Sequence, residues 1–521
     1  MEPPPQAEGR EEGVLPVAER RLVTFAVIFG AFVSIMDVSV VSVSLPHMMG
    51  AFGADLSSIT WVGTSYSIAQ IIMITMTSWW STLLGRKRFY LFSFTLFTLG
   101  SILSGTAQTF EQMLAYRVIQ GLGAGSLIPI SQSILRESYP PRLHGMAMAM
   151  FGMGIVLAPT VGPVLGGWLT EEYGWPWIFY INIPFCVAGM LLVSAYVKDP
   201  PYLKRGIQKV DWGGIALLVI GLTAMQLVLE RGQEENWFDS DWITAGIVVT
   251  VLAVILLVYW ELQVAEPVVD FRVLRNVPLI VGSSISLVFG IAMFGTMLLI
   301  PQFLQTLLDY SPMDSGMVLL PRGLVMFMVM AIVGRLFNLV DSRILVGMGL
   351  CLVIYSFFLF AHLSLDAGFW NLAAPLIISG LGMPFVFVTL SAVSLGSVRP
   401  EKVTSAASLY NLSRRVGGNI GYALLTTLIE RRFAFHRVGL ISNVSDLNEM
   451  YLQYKAGLES ALIRQQIDPF SAQTKALALI DTMVNRHSTM LAYNDVYWFL
   501  MLLFAATLPL VVLLGKRERP R

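Results

Sequence analysis

The 521-residue chain is 55% hydrophobic and only 13% charged, with a mean hydropathy of +0.68 and 34 basic residues against 34 acidic ones. Soluble domains carry about 25% charged residues, so this composition excludes an ordinary soluble protein and describes a polytopic membrane protein. Two cysteines far apart, Cys186 and Cys351, and five scattered histidines exclude a disulfide framework and argue against a metal site.

Residues 1–21 are mostly polar and proline-rich, the composition of a disordered tail. The apolar run that follows, 22–46, is too long for a signal-peptide core and lacks a small-residue cleavage site, so it reads as a retained first span. A bilayer core of ~30 Å needs ~20 apolar helical residues. Fourteen stretches qualify, at 22–46, 59–80, 89–107, 112–135, 146–169, 177–197, 212–229, 242–259, 278–301, 316–333, 344–363, 370–398, 403–429 and 497–514. The Lys/Arg excess falls in alternate loops and in both tails, which places both termini in the cytoplasm. The exception is the long outer segment, 431–490, and long loops cross membranes largely regardless of charge.

Two short basic loops, Leu84-Gly85-Arg86-Lys87-Arg88 and the run from Gly334 through Asp341 to Arg343, each follow the second helix of a six-helix block. That spacing predicts an all-α architecture of two parallel repeats, 22–197 and 263–521, with a linker at 198–262 that carries two extra spans. Repeats of this kind place a substrate site at their interface near the bilayer midplane.

Asp37 is the one acid that this reading places deep inside an apolar stretch. A charge at bilayer depth costs at least ~2.5 kcal/mol and faces a bundle interior or a wet cavity, where it carries protons or binds ions. Arg117 lies ~9 Å into the fourth span and Asp37 ~13 Å into the first at 1.5 Å per residue, so the two can pair if those helices are neighbours. A pair explains why both charges are tolerated. It also makes a switch, because a nearby cation favours the ionised carboxyl and desolvation favours the neutral one. A static structural ion pair is the alternative.

The fifth span carries Gly154, Pro159, Gly162, Pro163, Gly166 and Gly167. Small residues four apart let helices approach closely and the prolines favour a kink, which suggests a bending or sealing element for one gate. Arg322, Arg414 and Arg415 are further intramembrane cations, and with Gln120 and Asn411 they are candidates for lining the substrate cavity. With few buried acids to pair them, the cavity leans positive and suits anionic or neutral amphiphiles better than dications. The alternative is that backbone carbonyls and cytoplasmic acids satisfy them.

At these residues the chain resembles the major facilitator superfamily, and within it the fourteen-span drug:proton antiporters of the EmrB/QacA type. The resemblance covers nearly the whole chain and is carried by Asp37 in FVSIMDVSVVSVSLP, by Arg117-Val-Ile-Gln-Gly-Leu-Gly-Ala-Gly125, by the Gly154–Gly167 segment and by Trp177-Ile-Phe-Tyr-Ile-Asn-Ile-Pro184. The stretches RVIQGLGAGSLIPISQSILRESYPP and WELQVAEPVVDFRVLRN resemble its EmrB branch most. The resemblance implies a bacterial inner-membrane exporter of amphipathic toxic compounds, without a cofactor and driven by the proton gradient. It implies a proton site at Asp37, coupling through Arg117 and alternating access. It also implies an EmrA-like periplasmic adaptor and a TolC-like outer-membrane channel as partners, with 431–486 as the place where the adaptor touches. One departure stands out. The family's first cytoplasmic loop carries a glycine and an aspartate–arginine pair where this chain has Ser78, Thr82 and Leu83, which leaves Gly85, Arg86 and Lys87, with Asp341 as a substitute latch.

Three rivals remain. A stand-alone exporter needs no adaptor. A proton-coupled uptake symporter shares the fold, although the fifth-span motif is associated with export. A membrane enzyme needs an interfacial histidine–acid pair or a metal cluster, and no such grouping is legible. No GxxxxGK[ST] phosphate loop is present to drive transport by ATP.

Overall fold

The computed structural model describes residues 16–200, 206, 209–445 and 447–514. Among them every regular element is a helix. This follows from the solvent: in hydrocarbon each backbone N–H and C=O must be satisfied within its own segment, which an α-helix does.

The first bundle comprises α1 (Val17–Phe52), α2 (Trp61–Leu84), α3 (Arg86–Gly105), α4 (Phe110–Ser138), α5 (His144–Tyr173) and α6 (Asn182–Tyr196). The inserted pair is α7 (Trp212–Arg231) and α8 (Asp241–Glu261). The second bundle comprises α9 (Val277–Thr306), α10 (Pro312–Leu336), α11 (Ser342–Phe360), α12 (Phe369–Gly396), α13 (Val403–Ile441) and α15 (Pro469–Ala505), with α14 (Glu449–Arg464) between the last two. In the first bundle α1 packs on α5 and α6, and α4 on α2 and α3. In the second, α9 packs on α13, α12 on α10 and α11, and α15 on α11 and α13. The bundles meet mainly where α5 lies against α10 and α12, and α13 against α2 and α4.

Among the described residues, twelve helical segments are long and apolar enough to cross a membrane. The two expected spans outside that set are α3, which opens on Arg86-Lys87-Arg88, and α13, which carries Asn411, Arg414, Arg415 and Asn419. Both are packed into their bundles, so they give up apolarity where they face protein instead of lipid. The inserted α8 is the opposite case: Val251, Leu252 and Ile255 point outward, as lipid-facing side chains do.

Boundaries differ from expectation at several places. Helix α1 begins at Val17, ahead of residue 22, because Pro16 starts the helix and Ala18-Glu19-Arg20-Arg21 are good helix formers; residues 1–15 of the expected tail lie outside the described residues. The sixth span breaks at Ile181, between the single turn Trp177–Tyr180 and α6. The outer segment 431–490, expected as a loop, is mostly helical. Helix α13 has 39 residues and α15 has 37, ~55 Å each at 1.5 Å per residue, far more than the ~30 Å bilayer core. They project together beyond the span, clasped by Arg432 and His436 to Asp495 at 2.5 and 2.6 Å and by Arg437 to Asp481 at 3.0 Å.

The fifth-span glycines have a visible use. Gly154, Ala158, Gly162 and Gly166 form one stripe, and three of them meet α1: a Cβ at Gly154 would lie 2.5 Å from Ile28, at Gly162 2.7 Å from Ser39 and at Gly166 3.0 Å from the Val40 carbonyl. Helix α5 runs unbroken past Pro159 and Pro163. Its other face meets the second bundle, with Gly145 against Phe337, Gly152 against Met330 and Thr160 against Gly323. Gly167 faces open space. One helix thus rides on the Asp37-bearing helix and on the opposite bundle at once.

Candidate functional site

Asp37 of α1 is fully buried inside the first bundle, with α3, α4 and α6 around it. From α4, Arg117 donates through Nη1 to Asp37 Oδ2 at 2.6 Å, and from the same helix Gln120 donates through Nε2 to Oδ1 at 2.7 Å. From α6, Asn182 Nδ2 donates to Oδ1 at 3.0 Å. Helix α3 contributes Ser101, whose hydroxyl oxygen accepts from Gln120 at 2.8 Å and from Asn182 at 3.1 Å. The expected pairing of the first and fourth spans is therefore present, with a polar cage around it.

Arg117 is itself held by several further partners. Nη1 also donates to Gln120 Oε1 at 2.7 Å, Nε donates to the Val62 carbonyl at 3.1 Å, and the guanidinium lies 4.2 Å from the Tyr66 ring centre. Tyr66 in turn donates to the Ser34 carbonyl at 3.1 Å. An isolated charge in a medium of low dielectric is expensive, and a pair survives there only when its remaining donors and acceptors are also met. Gln120 does this for both partners: one turn after Arg117 on the same helix face, it accepts from the guanidinium and donates to the carboxylate. The sequence suggests Gln120 for the substrate cavity; the structure seats it in the polar cage around Asp37.

Asn182 and Ser101 were not among the sequence-derived candidates. Asn182 lies in the Trp177–Pro184 motif, where an amide within an apolar run is the signal that could have found it. Its Oδ1 is buried and unpartnered, an orphan acceptor on the same amide that donates to Asp37.

The other candidates separate into two groups. In the second bundle Arg414 Nη2 donates to Asn411 Oδ1 at 2.7 Å, and Asn411 Nδ2 donates across the bundle interface to Gln132 Oε1 at 2.6 Å. Arg415 Nη2 donates to Ser67 Oγ of α2 at 3.1 Å, and Arg322 Nη2 donates to the Met383 sulfur at 3.2 Å. Arg414 and Arg415 also lie within 6 Å of the Phe387 and Phe294 ring centres, at 5.3 and 5.6 Å. Among the described residues none of these three arginines is in an ion pair. Asn411 and Arg415 reach across the seam between bundles, whereas Arg322 points to α12 within the second bundle; none of them contacts Asp37.

The second group lies at the basic end. Gly85 adopts φ +85° at the junction of α2 and α3, a backbone region that suits glycine. Arg86 is buried and ion-paired with Glu137 of α4, while Lys87 N and Nζ donate to Asp199 Oδ1 at 2.8 Å and the Ser194 carbonyl at 2.6 Å. Gly334 lets α10 approach Ala149 of α5, where a Cβ would lie 2.7 Å away. Asp341 caps α11 by accepting from Arg343 N at 2.9 Å, and Arg343 Nε donates to the Leu514 carbonyl. At this same end Arg136 donates to the carbonyls of Gly396 and Val398, both at 3.0 Å, and Ser78 and Ser405 share a hydrogen bond of 2.6 Å, so the basic ends of the two bundles are joined.

The seventh span, expected to end at Leu229, continues as α7 to Arg231, and Glu230 near its end is partly buried against α2.

The family model described as Major Facilitator Superfamily matches residues 27–422. The chain is 31% identical to the "Multidrug export protein EmrB" of Escherichia coli (strain K12), over 96% of each chain. It is 30% identical to the "Fatty acid resistance protein FarB" of Neisseria gonorrhoeae, over 94% of this chain and 95% of that one. In three dimensions it resembles the human organic anion transporter MFSD10 (TETRAN), with a TM-score of 0.59, 15% identity and coverage of 94% of this chain and all of the other, a likeness of fold alone. Helical bundles, a paired intramembrane carboxylate and matches along almost the full length agree: this chain is a membrane transporter of the major facilitator superfamily.

Proposed function

We propose that the chain is a proton-driven exporter of amphipathic toxic compounds across a bacterial inner membrane, and the caged Asp37 carboxylate is the observation that carries this reading. Buried carboxylates in membrane spans mark proton relays, and this one has a partner set suited to both of its states. Ionised, it is held by Arg117, Gln120 and Asn182. Protonated, it needs an acceptor, and a half-turn of the Asn182 amide brings the orphan Oδ1 to it. Asn182 is thus expected to smooth proton loading. A hydrogen bond to a charged group contributes ~1.5–3 kcal/mol, so Asn182→Leu should lower proton-driven transport by roughly 10–100-fold and move its pH dependence. A variant with the normal pH profile would leave Asn182 a packing residue.

The three unpaired arginines support a substrate that is anionic or neutral, and the printed description of FarB, a fatty acid resistance protein, supports the same lean. In everted vesicles acidified inside, a long-chain weak acid should accumulate in preference to a dicationic drug. Loss of one charge-assisted contact, worth about 1.4 kcal/mol for each tenfold, should raise the half-saturating concentration of the weak acid ~10-fold in Arg415→Gln, and less for a neutral amphiphile. Preference for the dication would contradict the reading.

A tripartite arrangement, with a periplasmic adaptor and an outer-membrane channel, belongs to the same proposal. It is supported by the projecting ends of α13 and α15 and by α14, which together expose Phe435, Val438, Met450 and Phe470.

A further inference from the structure

The inserted helices do more than connect the bundles. Among the described residues, direct hydrogen bonds between the bundles run from the basic end only as far as Arg415 and Ser67. Beyond that point, toward the far end, the bundles are joined through α7 and the turn after it. Toward the first bundle, Arg231 donates to the Ser57 hydroxyl at 2.9 Å, the Ser57 carbonyl at 2.8 Å and the Thr60 hydroxyl at 3.2 Å. Toward the second, Trp237 Nε1 donates to Thr427 Oγ1 at 3.1 Å, and Gln233 donates to Glu430.

Glu230 sits in the middle of this strap. Its Oε1 accepts from the Thr64 hydroxyl of α2, and its Oε2 accepts from Gln226 Nε2 at 3.2 Å. Gln226 Oε1 accepts in turn from Asn419 Nδ2 of α13. A single line of side chains, Thr64–Glu230–Gln226–Asn419, therefore crosses from one bundle to the other through an acid. The charged groups near Glu230 are Arg231 on its own helix and Arg415 on α13, with Glu234 just beyond α7; Tyr422 of α13 is the nearby titratable hydroxyl. Arg231 is engaged by Glu234 at 2.5 Å, and among the described residues Glu230 has no ion pair of its own.

We propose that Glu230 is a second proton-binding site of this transporter, carried by the inserted pair, and that its ionised carboxylate holds the bundles in the arrangement whose basic ends are closed. Charge-assisted hydrogen bonds are roughly twice as strong as neutral ones, so the ionised form grips Thr64 firmly and fixes Gln226 for Asn419. A proton arriving from the far side neutralises that grip. The Thr64 hydroxyl then has its second acceptor to return to, the Thr60 carbonyl at 3.2 Å, and the strap slackens. Protonation from outside thereby releases the bundles toward the opposite arrangement, the direction an exporter needs.

The inference rests on the exporter reading only for the direction of proton flow, and its test uses no substrate. Spin labels at Ala51→Cys and Ser364→Cys, both exposed at the far end of opposite bundles, report the distance between bundles in full-length protein in nanodiscs. The background carries Cys351→Ser, to remove the exposed native thiol, and Asp37→Asn, so that any pH response is not that of Asp37. The distance distribution is expected to change between acidic and mildly alkaline buffer. Glu230→Gln should hold the acidic distribution in both, and Thr64→Val, which keeps the acid but removes its partner, should do the same. A pH response that is absent from the background, or that survives both substitutions, overturns the proposal while leaving the exporter reading untouched. Failure of the unsubstituted protein to move substrate on a proton gradient would overturn that reading and leave the distance result standing.

Discussion

Replacing Asp37 with asparagine is expected to abolish proton-driven efflux while the protein still inserts and folds. The asparagine keeps the shape of the side chain and can still pair with Gln120 and Asn182, so the four-helix cage around it is preserved. What disappears is the only group in that cage able to take up and release a proton. In vesicles the variant should transport no faster than protein-free controls, and because Arg117 then lacks its counter-charge its thermal unfolding should fall below that of the native chain while the protein still inserts. Full drug resistance in cells carrying Asp37→Asn would remove the carboxylate from the coupling mechanism.

Arg117→Ala should do more damage to stability and comparable damage to transport. Removing one partner of a buried pair leaves an uncompensated charge, at about 3–5 kcal/mol, and here it also leaves the Val62 carbonyl, Gln120 Oε1 and the face of Tyr66 without their common donor. Residual transport is expected to show a changed pH profile. The double variant Asp37→Asn with Arg117→Ala should be more stable than Arg117→Ala alone, because groups in one network are not additive and the stranded charge is gone. Thermal unfolding of the three variants reads this directly. Equal losses in the single and double variants, or an unchanged pH profile, would reduce Arg117 to a packing residue.

The core of the site was legible because charge inside an apolar helix is conspicuous and depth can be counted at a fixed rise per residue. Asp37 and Arg117 met as that count required, and the six-helix repeats with an inserted pair followed from loop charge and span length. Ser101 and Asn182 were invisible for the converse reason: neutral, short polar side chains are common in helix packing, and only the fold brings α3 and α6 to the carboxylate. Glu230 was missed by a boundary of one residue, since an acid at the end of an apolar run looks like the edge of the membrane. The helices of 431–490 were missed because an amphipathic helix outside the bilayer has no apolar run to mark it. The fifth-span glycines read as a gate, and the geometry adds what they touch: they let α5 pack closely on α1 on either side of Asp37, while the other face of α5 meets the second bundle.

The most direct test follows protons instead of drug. Purified protein in lightly buffered detergent solution, with a pH-indicator dye present, is mixed with a transported weak-acid amphiphile, and proton release is recorded beside that of Asp37→Asn. The account predicts release on substrate binding by the native chain, saturating with substrate and lost in the variant. Equal release from both proteins, or none from either despite measured binding, would contradict it.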